Sequence, residues 1–189
     1  EEALQIRGDG IETPVLILGY TPPQGLRTVV AQGFRQTVYD LASAEELSRA
    51  AQELGREALV HIKVDTGMSR VGFLPGGDAL QSIARITRMP GLVVEGLYTH
   101  FAMADSPDSD YTELQFSRFM DFVDRLAKMG VKIPILHAAN SAGIVNHPAT
   151  HLDMVRAGIS LYGLRPSEDT DLGDLQLIPA MRLISQVVL

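Results

Sequence analysis

His61-Ile62-Lys63-Val64-Asp65-Thr66-Gly67-Met68-Ser69-Arg70-Val71-Gly72-Phe73 is the densest signal in the chain. It begins as a strand and then turns through glycine. Period-two alternation puts His61, Lys63 and Asp65 on one face and Ile62 and Val64 on the other. A buried-looking strand thus delivers charged groups to one end. Taken alone, Lys63 and Asp65 also read as a structural ion pair at that strand end, so the neighbouring segments must decide.

Outward from this stretch, short runs rich in Val, Ile and Leu alternate with amphipathic helical patterns, the rhythm of βα units around a parallel sheet. Six candidate strands lie near Val15 to Gly19, Thr37 to Tyr39, Leu59 to Asp65, Val93 to His100, Ile135 to Ala139 and Met154 to Leu161. Between the second and third, Ser43-Ala44-Glu45-Glu46 matches a capping box, Leu47, Ala50, Ala51 and Leu54 form an apolar stripe, and Gly55 supplies a stop. A second helix is expected from about Asp78 to Arg88. A third, from about Ser109 to Met129, should bury Leu114, Phe119, Phe122, Val123 and Leu126 and stop at Gly130.

The fold class is therefore α/β. About six βα units fall short of a closed (β/α)8 TIM barrel of ~250 residues but share its pattern, so a partial barrel is expected. A doubly wound open sheet is the competitor. Gly19-Tyr20-Thr21-Pro22-Pro23 after the first strand lacks the G-x-G-x-x-G fingerprint that would favour it. After Pro166 the chain is acidic and irregular through Asp174, and Met181 to Leu189 again looks like a strand. This divides the chain into a barrel part, 1–174, and the start of another domain, 175–189. Glu1 in place of Met, and a strand pattern running off at Leu189, suggest a segment of a longer protein.

Composition narrows the function classes. Of the 189 residues, 46% are hydrophobic and 21% charged, the balance of a soluble globular domain. A net charge of -7 argues against a nucleic-acid partner, though a local anion site is compatible with it. No apolar run approaches the ~18 residues of a membrane span. With zero cysteines there are no disulfides, thiolate metal sites or cysteine nucleophiles, which fits a cytoplasmic enzyme.

Three more polar clusters sit at strand ends: Tyr98-Thr99-His100-Phe101-Ala102, His137-Ala138-Ala139-Asn140-Ser141-Ala142-Gly143, and Met154 to Gly163 with Arg156 and Gly158. In a barrel, the C-terminal ends of successive strands converge on one mouth, where the site lies. Each cluster has a plainer reading alone. A strand-end His is more often a structural hydrogen-bonding residue, and Asn140-Ser141 could cap a short helix. Asp65-Thr66-Gly67 resembles an aspartic-protease turn, but those enzymes are all-β and this chain has no second such triplet. His61, His100, His137 and Asp153 lie on or beside strands and invite a divalent metal, yet no compact ligand spacing supports one, so no metal site is assigned.

Lys63 to Gly72, Thr99-His100-Phe101-Ala102, Asn140-Ser141 and Arg156-Ala157-Gly158-Ile159, in this order and spacing, resemble the alanine racemase family. Nearly the whole chain takes part. The resemblance implies a pyridoxal 5'-phosphate (PLP)-binding (β/α)8 barrel followed by a β-rich domain, assembled as a homodimer. It also implies an amino-acid substrate and D-alanine supply for peptidoglycan. Arg70 corresponds to the arginine that contacts the cofactor's phenolic oxygen and the substrate carboxylate. Lys63 corresponds to a carbamylated lysine, and His100 to the histidine that supports the catalytic tyrosine. Arg156 corresponds to the donor to the pyridine nitrogen, with His137 behind it. Asn140, Ser141, Gly158 and Ile159 fall in the cofactor cradle, the last three at its phosphate. By the same resemblance, the Schiff-base lysine and the catalytic tyrosine belong outside residues 1–189, and this segment alone should be inactive. Serine or broad-specificity racemisation and a non-catalytic PLP-binding barrel are the alternatives.

Overall fold

A computed structural model describes residues 1–106 and 110–186. Five strands form one parallel sheet in strict sequence order: β1 (Leu16–Ile17), β2 (Arg35–Val38), β3 (Ala58–Lys63), β4 (Leu92–Tyr98) and β5 (Ile135–His137). The crossovers are α2 (Pro23–Ala31), α3 (Leu41–Leu54), α4 (Gly77–Ile86) and α5 (Tyr111–Lys128), with α1 (Glu2–Gly8) before the sheet and α6 (Ser141–Asn146) after it. The order 1-2-3-4-5 has no reversal point. A doubly wound sheet requires one, so the architecture is the wall of a (β/α)8 barrel.

One face of the sheet is apolar: Val38, Val60, Ile62, Val64 and Leu97 pack under Leu47, Ile83, Phe119, Phe122 and Leu126 of the helices. The other face carries Thr37, His61, Lys63, Tyr98 and His137, all buried. Alternation places these two sets back to back. The register slips by one residue between Val60 and His61, so His61 lies opposite Gly96.

Several expectations need correction. The sixth strand, Met154 to Leu161, does not form: Met154 makes a single bridge to His137, and Ile159–Tyr162 is a short 3-10 turn. Gly158, at φ -99° and ψ -98°, departs from the extended conformation and ends any pairing. α3 is capped by Asp40, not Ser43: the Asp40 carboxylate accepts from Ser43 N at 2.7 Å, and Ser43 Oγ donates back to Asp40 O. A carboxylate at the helix N-terminus satisfies an orphan donor and opposes the dipole, so the helix starts three residues earlier than the capping box suggested. Gly55 does end it, in the left-handed conformation.

On α5 the buried stripe is Thr112, Gln115, Phe119, Phe122 and Leu126, while Leu114 is 44% exposed. Ser109, the expected helix start, lies outside the described residues. Helices α1 and α2 carried no expectation, although Pro23 and the Leu26, Val29, Val30 spacing mark the second. Residues 175–186 form no strand, and the remainder of the expected strand, 187–189, lies outside the described residues. Among the described residues no helix is long and apolar enough to cross a membrane.

Candidate functional site

The turn after β3 is built around Asp65. Its carboxylate accepts from the backbone N–H groups of Gly67, Ser69 and Arg70 at 2.8 to 2.9 Å. Burial opposes its charge, but these three donations, with Lys63 nearby, hold its pKa below the usual carboxylate value. The Asp65 carboxylate is thus occupied with the turn, which displaces the simple Lys63–Asp65 ion pair. The loop closes where Asp65 N donates to Phe73 O and Phe73 N to Lys63 O. At Gly72, φ is +135° and a Cβ would sit 2.7 Å from Asp65 N, so only glycine fits that return.

Lys63 is 2% exposed with its Nζ 5.9 Å from the Tyr98 ring centroid. Burial, then the positive Arg70, lower its pKa to about 8. Arg70 itself is exposed at the rim of the turn.

Helix α5 pins this turn to the next one. Gln115, fully buried, donates to Thr66 Oγ1 and His100 O and accepts from Ala102 N. Tyr111 donates to Gly67 O and Arg118 to Thr66 O. Thr66 and Thr99 hydroxyls meet at 2.7 Å. The segments bearing Arg70 and His100 are therefore one packed unit.

Arg156 is held from several sides. Its Nη1 donates to His137 Nδ1 at 2.5 Å, and Nη2 donates to Thr99 O and Ala138 O at 2.7 and 2.9 Å. The guanidinium lies 5.0 Å from the Tyr98 centroid, and Tyr98 stacks on His137 at 4.5 Å and 8°. Burial lowers Arg156 to about 10, which leaves it charged at neutral pH. Burial, then Arg156, push His100 down to about 4 and His137 down to about 2, so both imidazoles are neutral.

The far side of the cleft is the turn at Ser141 and Gly158. Ser141 Oγ accepts from Gly158 N at 2.9 Å and Ser160 N at 3.3 Å, and Ser160 Oγ is buried without a partner among the described residues. Asn140 caps α6, with Oδ1 on Gly143 N and its amide on Phe101 O. His100, Asn140, Ser141, Arg156, Gly158 and Ile159 line one cleft of about 380 Å³, with Leu18, Asp105, Ala142, Ala157 and Pro166. Lys63, Arg70 and His137 are not in its wall. His137 stands behind Arg156, while Lys63 and Arg70 act on the His100 side through their charge.

Sequence reading missed Arg35 and Glu95 and weighed His61 only as a metal candidate. His61 Nδ1 meets His137 Nε2 at 2.9 Å, His61 Nε2 lies 3.4 Å from Glu95 Oε2, and Arg35 grips Glu95 with Nε and Nη2 at 3.0 and 3.2 Å. Glu95 was visible as a lone charge inside the apolar run Leu92 to Leu97. Asp153, once a metal candidate, accepts from Leu136 N at 2.8 Å.

The cleft offers donors in excess. Three of the five guanidinium N–H groups that any arginine carries are engaged at Arg156, leaving Nε–H and one Nη1–H. Ser141 retains its hydroxyl proton. A ligand with a phosphate and a ring-nitrogen acceptor fits this set.

Comparison with known proteins gives a consistent result. The family model described as alanine racemase, N-terminal domain, matches residues 1–166. An alanine racemase from Methanococcus maripaludis is 47% identical over 182 residues, 96% of this chain and 49% of that protein. Among solved structures, alanine racemase from Clostridium difficile 630 in complex with cycloserine has a TM-score of 0.92 at 41% identity, covering 95% of this chain and 49% of that one. A histidine racemase from Leuconostoc mesenteroides has a TM-score of 0.85 at 29% identity, covering 95% and 48%. The chain spans about half the length of these relatives.

Proposed function

Because the chain belongs to the alanine racemase family, we propose that the protein carrying it interconverts L-alanine and D-alanine with PLP and supplies D-alanine for peptidoglycan. The observation that carries this reading is the donor-rich cleft between Arg156 and the Ser141–Gly158 turn. When bound, PLP supplies an electron sink for the substrate's α-carbon.

The chain's own residues divide the remaining work. Arg156 offers a free N–H to the ring nitrogen and, staying charged, donates a hydrogen bond without surrendering its proton. Ser141 and the turn at Gly158 and Ile159 receive the phosphate, with Asn140 capping the start of α6 that carries Ser141. Arg70, exposed on the turn after β3 and outside the cleft wall, is assigned the substrate carboxylate and the cofactor's phenolic oxygen by the family resemblance. His100, neutral, receives a hydrogen bond from the tyrosine base that the family resemblance expects. Lys63 is the site of a carbamate. A pKa near 8 supplies the neutral amine that reacts with carbon dioxide, and the resulting anion would face Arg70 favourably.

We infer further that residues 1–189 by themselves do not carry the reaction. Of the three lysines, Lys63 is enclosed beside Tyr98, and Lys128 and Lys132 are exposed around the end of α5, away from the cleft. The whole protein is read as a cytoplasmic homodimer. The test is to express it, load it with PLP and follow D-alanine from L-alanine by chiral chromatography. D-alanine formation is expected, and its absence in a PLP-loaded preparation would overturn the reading. Because the histidine racemase shares this fold, serine and other amino acids belong in the same assay. Faster turnover of one of them would favour the broad-specificity alternative.

A further inference from the structure

We propose that Glu95 and His61 are positioning residues that set the direction of a buried hydrogen-bond chain ending on Arg156, and so aim its free N–H groups into the cleft. The proposal rests on the reading above that those N–H groups face the cofactor ring.

The direction follows from one constraint: a guanidinium has donors and no acceptor. Arg156 Nη1 lies 2.5 Å from His137 Nδ1, so that nitrogen must be bare. The proton of neutral His137 is then on Nε2, which lies 2.9 Å from His61 Nδ1 and donates to it. His61 in turn carries its proton on Nε2, facing Glu95 Oε2 at 3.4 Å. Glu95 is ionised by the two-pronged grip of Arg35. Each imidazole thus accepts on Nδ1 and donates from Nε2, and the chain has one sense, from Arg156 to Glu95. The other tautomer of His137, or its double protonation, would set N–H against N–H at the Arg156 contact, and the same change in His61 would do so at the His137 contact.

Space is reserved for this arrangement. A Cβ on Gly96 would lie 2.2 Å from His61 Nδ1, and the register slip before His61 brings the two residues opposite each other. Burial, the largest influence on both rings, keeps them neutral and so supports the same assignment. With His137 fixed as acceptor, Arg156 keeps three anchors, and its aim does not depend on the ligand.

The experiment uses the full-length PLP-loaded protein labelled with 15N in its histidine rings. His61 and His137 should both appear as neutral Nε2–H tautomers, unchanged between about pH 6 and 9. Glu95→Leu should mix the tautomers of His137 and lower kcat roughly tenfold with KM for alanine within about twofold. Glu95→Gln, which keeps a carbonyl acceptor, should restore the Nε2–H signals and most of kcat. A Nδ1–H or doubly protonated ring in the unsubstituted protein would overturn the proposal, as would Glu95→Leu with unmoved His137 signals. If Glu95→Leu does not fold, the signals of the unsubstituted protein and of Glu95→Gln decide. If the unsubstituted protein shows these tautomers but racemises no alanine, the functional reading fails and the directed chain stands.

Discussion

At the scale of single residues, the site is a set of cations and neutral imidazoles kept apart by aimed lone pairs. Burial holds His137 at about 2 and His100 at about 4, whereas an unfolded histidine titrates near 6.5. Between those values the unfolded chain binds the extra protons, so stability rises with pH and is lost as pH falls below about 6.5. Unfolded carboxylates begin to titrate only lower, near pH 4.5, which leaves about pH 7 to 5 as the histidine window. A melting temperature that stays flat across that window would contradict the assignment. The two arginines should also separate. Arg70 is exposed and its removal should spare the fold, so Arg70→Ala is expected to depress racemisation while changing stability by less than about 0.5 kcal/mol. Arg156→Ala strands His137 Nδ1 and two backbone carbonyls, and should cost roughly 1–3 kcal/mol of stability as well as activity. Urea titration beside a chiral assay checks both. Equal stability losses for the two variants would refute the distinction.

Helix α5 shows what an element adds. Gln115→Leu should cost about 1–3 kcal/mol, because Ala102 N and Thr66 Oγ1 lose a buried partner, and should speed hydrogen exchange at Ala102. Leu114→Ala, at the adjacent but exposed position about a quarter-turn round the helix, should cost under about 0.5 kcal/mol. The opposite order would show that α5 is held by its apolar neighbours alone. This pair also marks where sequence reading succeeds and stops. Leu47, Phe119, Phe122 and Leu126 are legible because burial by apolar residues follows helical spacing. Gln115 is not, because a polar residue in the stripe has meaning only once two strand-end loops are known to meet it. The parallel strands β3 and β4 could be read from their Val and Ile content. The sixth could not be rejected, because its backbone departs from extension at Gly158, a glycine whose conformation composition does not specify. At the site, the Lys63 to Gly72 pattern was visible, while the Glu95–His61 contact depends on a register slip with no sequence signature.

For the whole molecule, several exposed apolar residues fall between 161 and 184: Leu161, Tyr162 and Leu164, then Ile178, Met181, Leu183 and Ile184, with Leu183 99% exposed. Residues 1–189 prepared alone should therefore self-associate, as sedimentation velocity at increasing concentration will show. A single monomeric boundary at all concentrations would contradict this. The strict 1-2-3-4-5 order of the sheet bears on how the chain is made. Each strand hydrogen-bonds to the one synthesised just before it, and none has to be inserted between two that are already paired. As the chain leaves the ribosome, β2 can dock on β1, β3 on β2, and so on, each closing a loop of only one crossover helix. These strands can be added to β1 in the direction of translation, and a ribosomal pause between crossovers would leave a shorter wall without a gap among them.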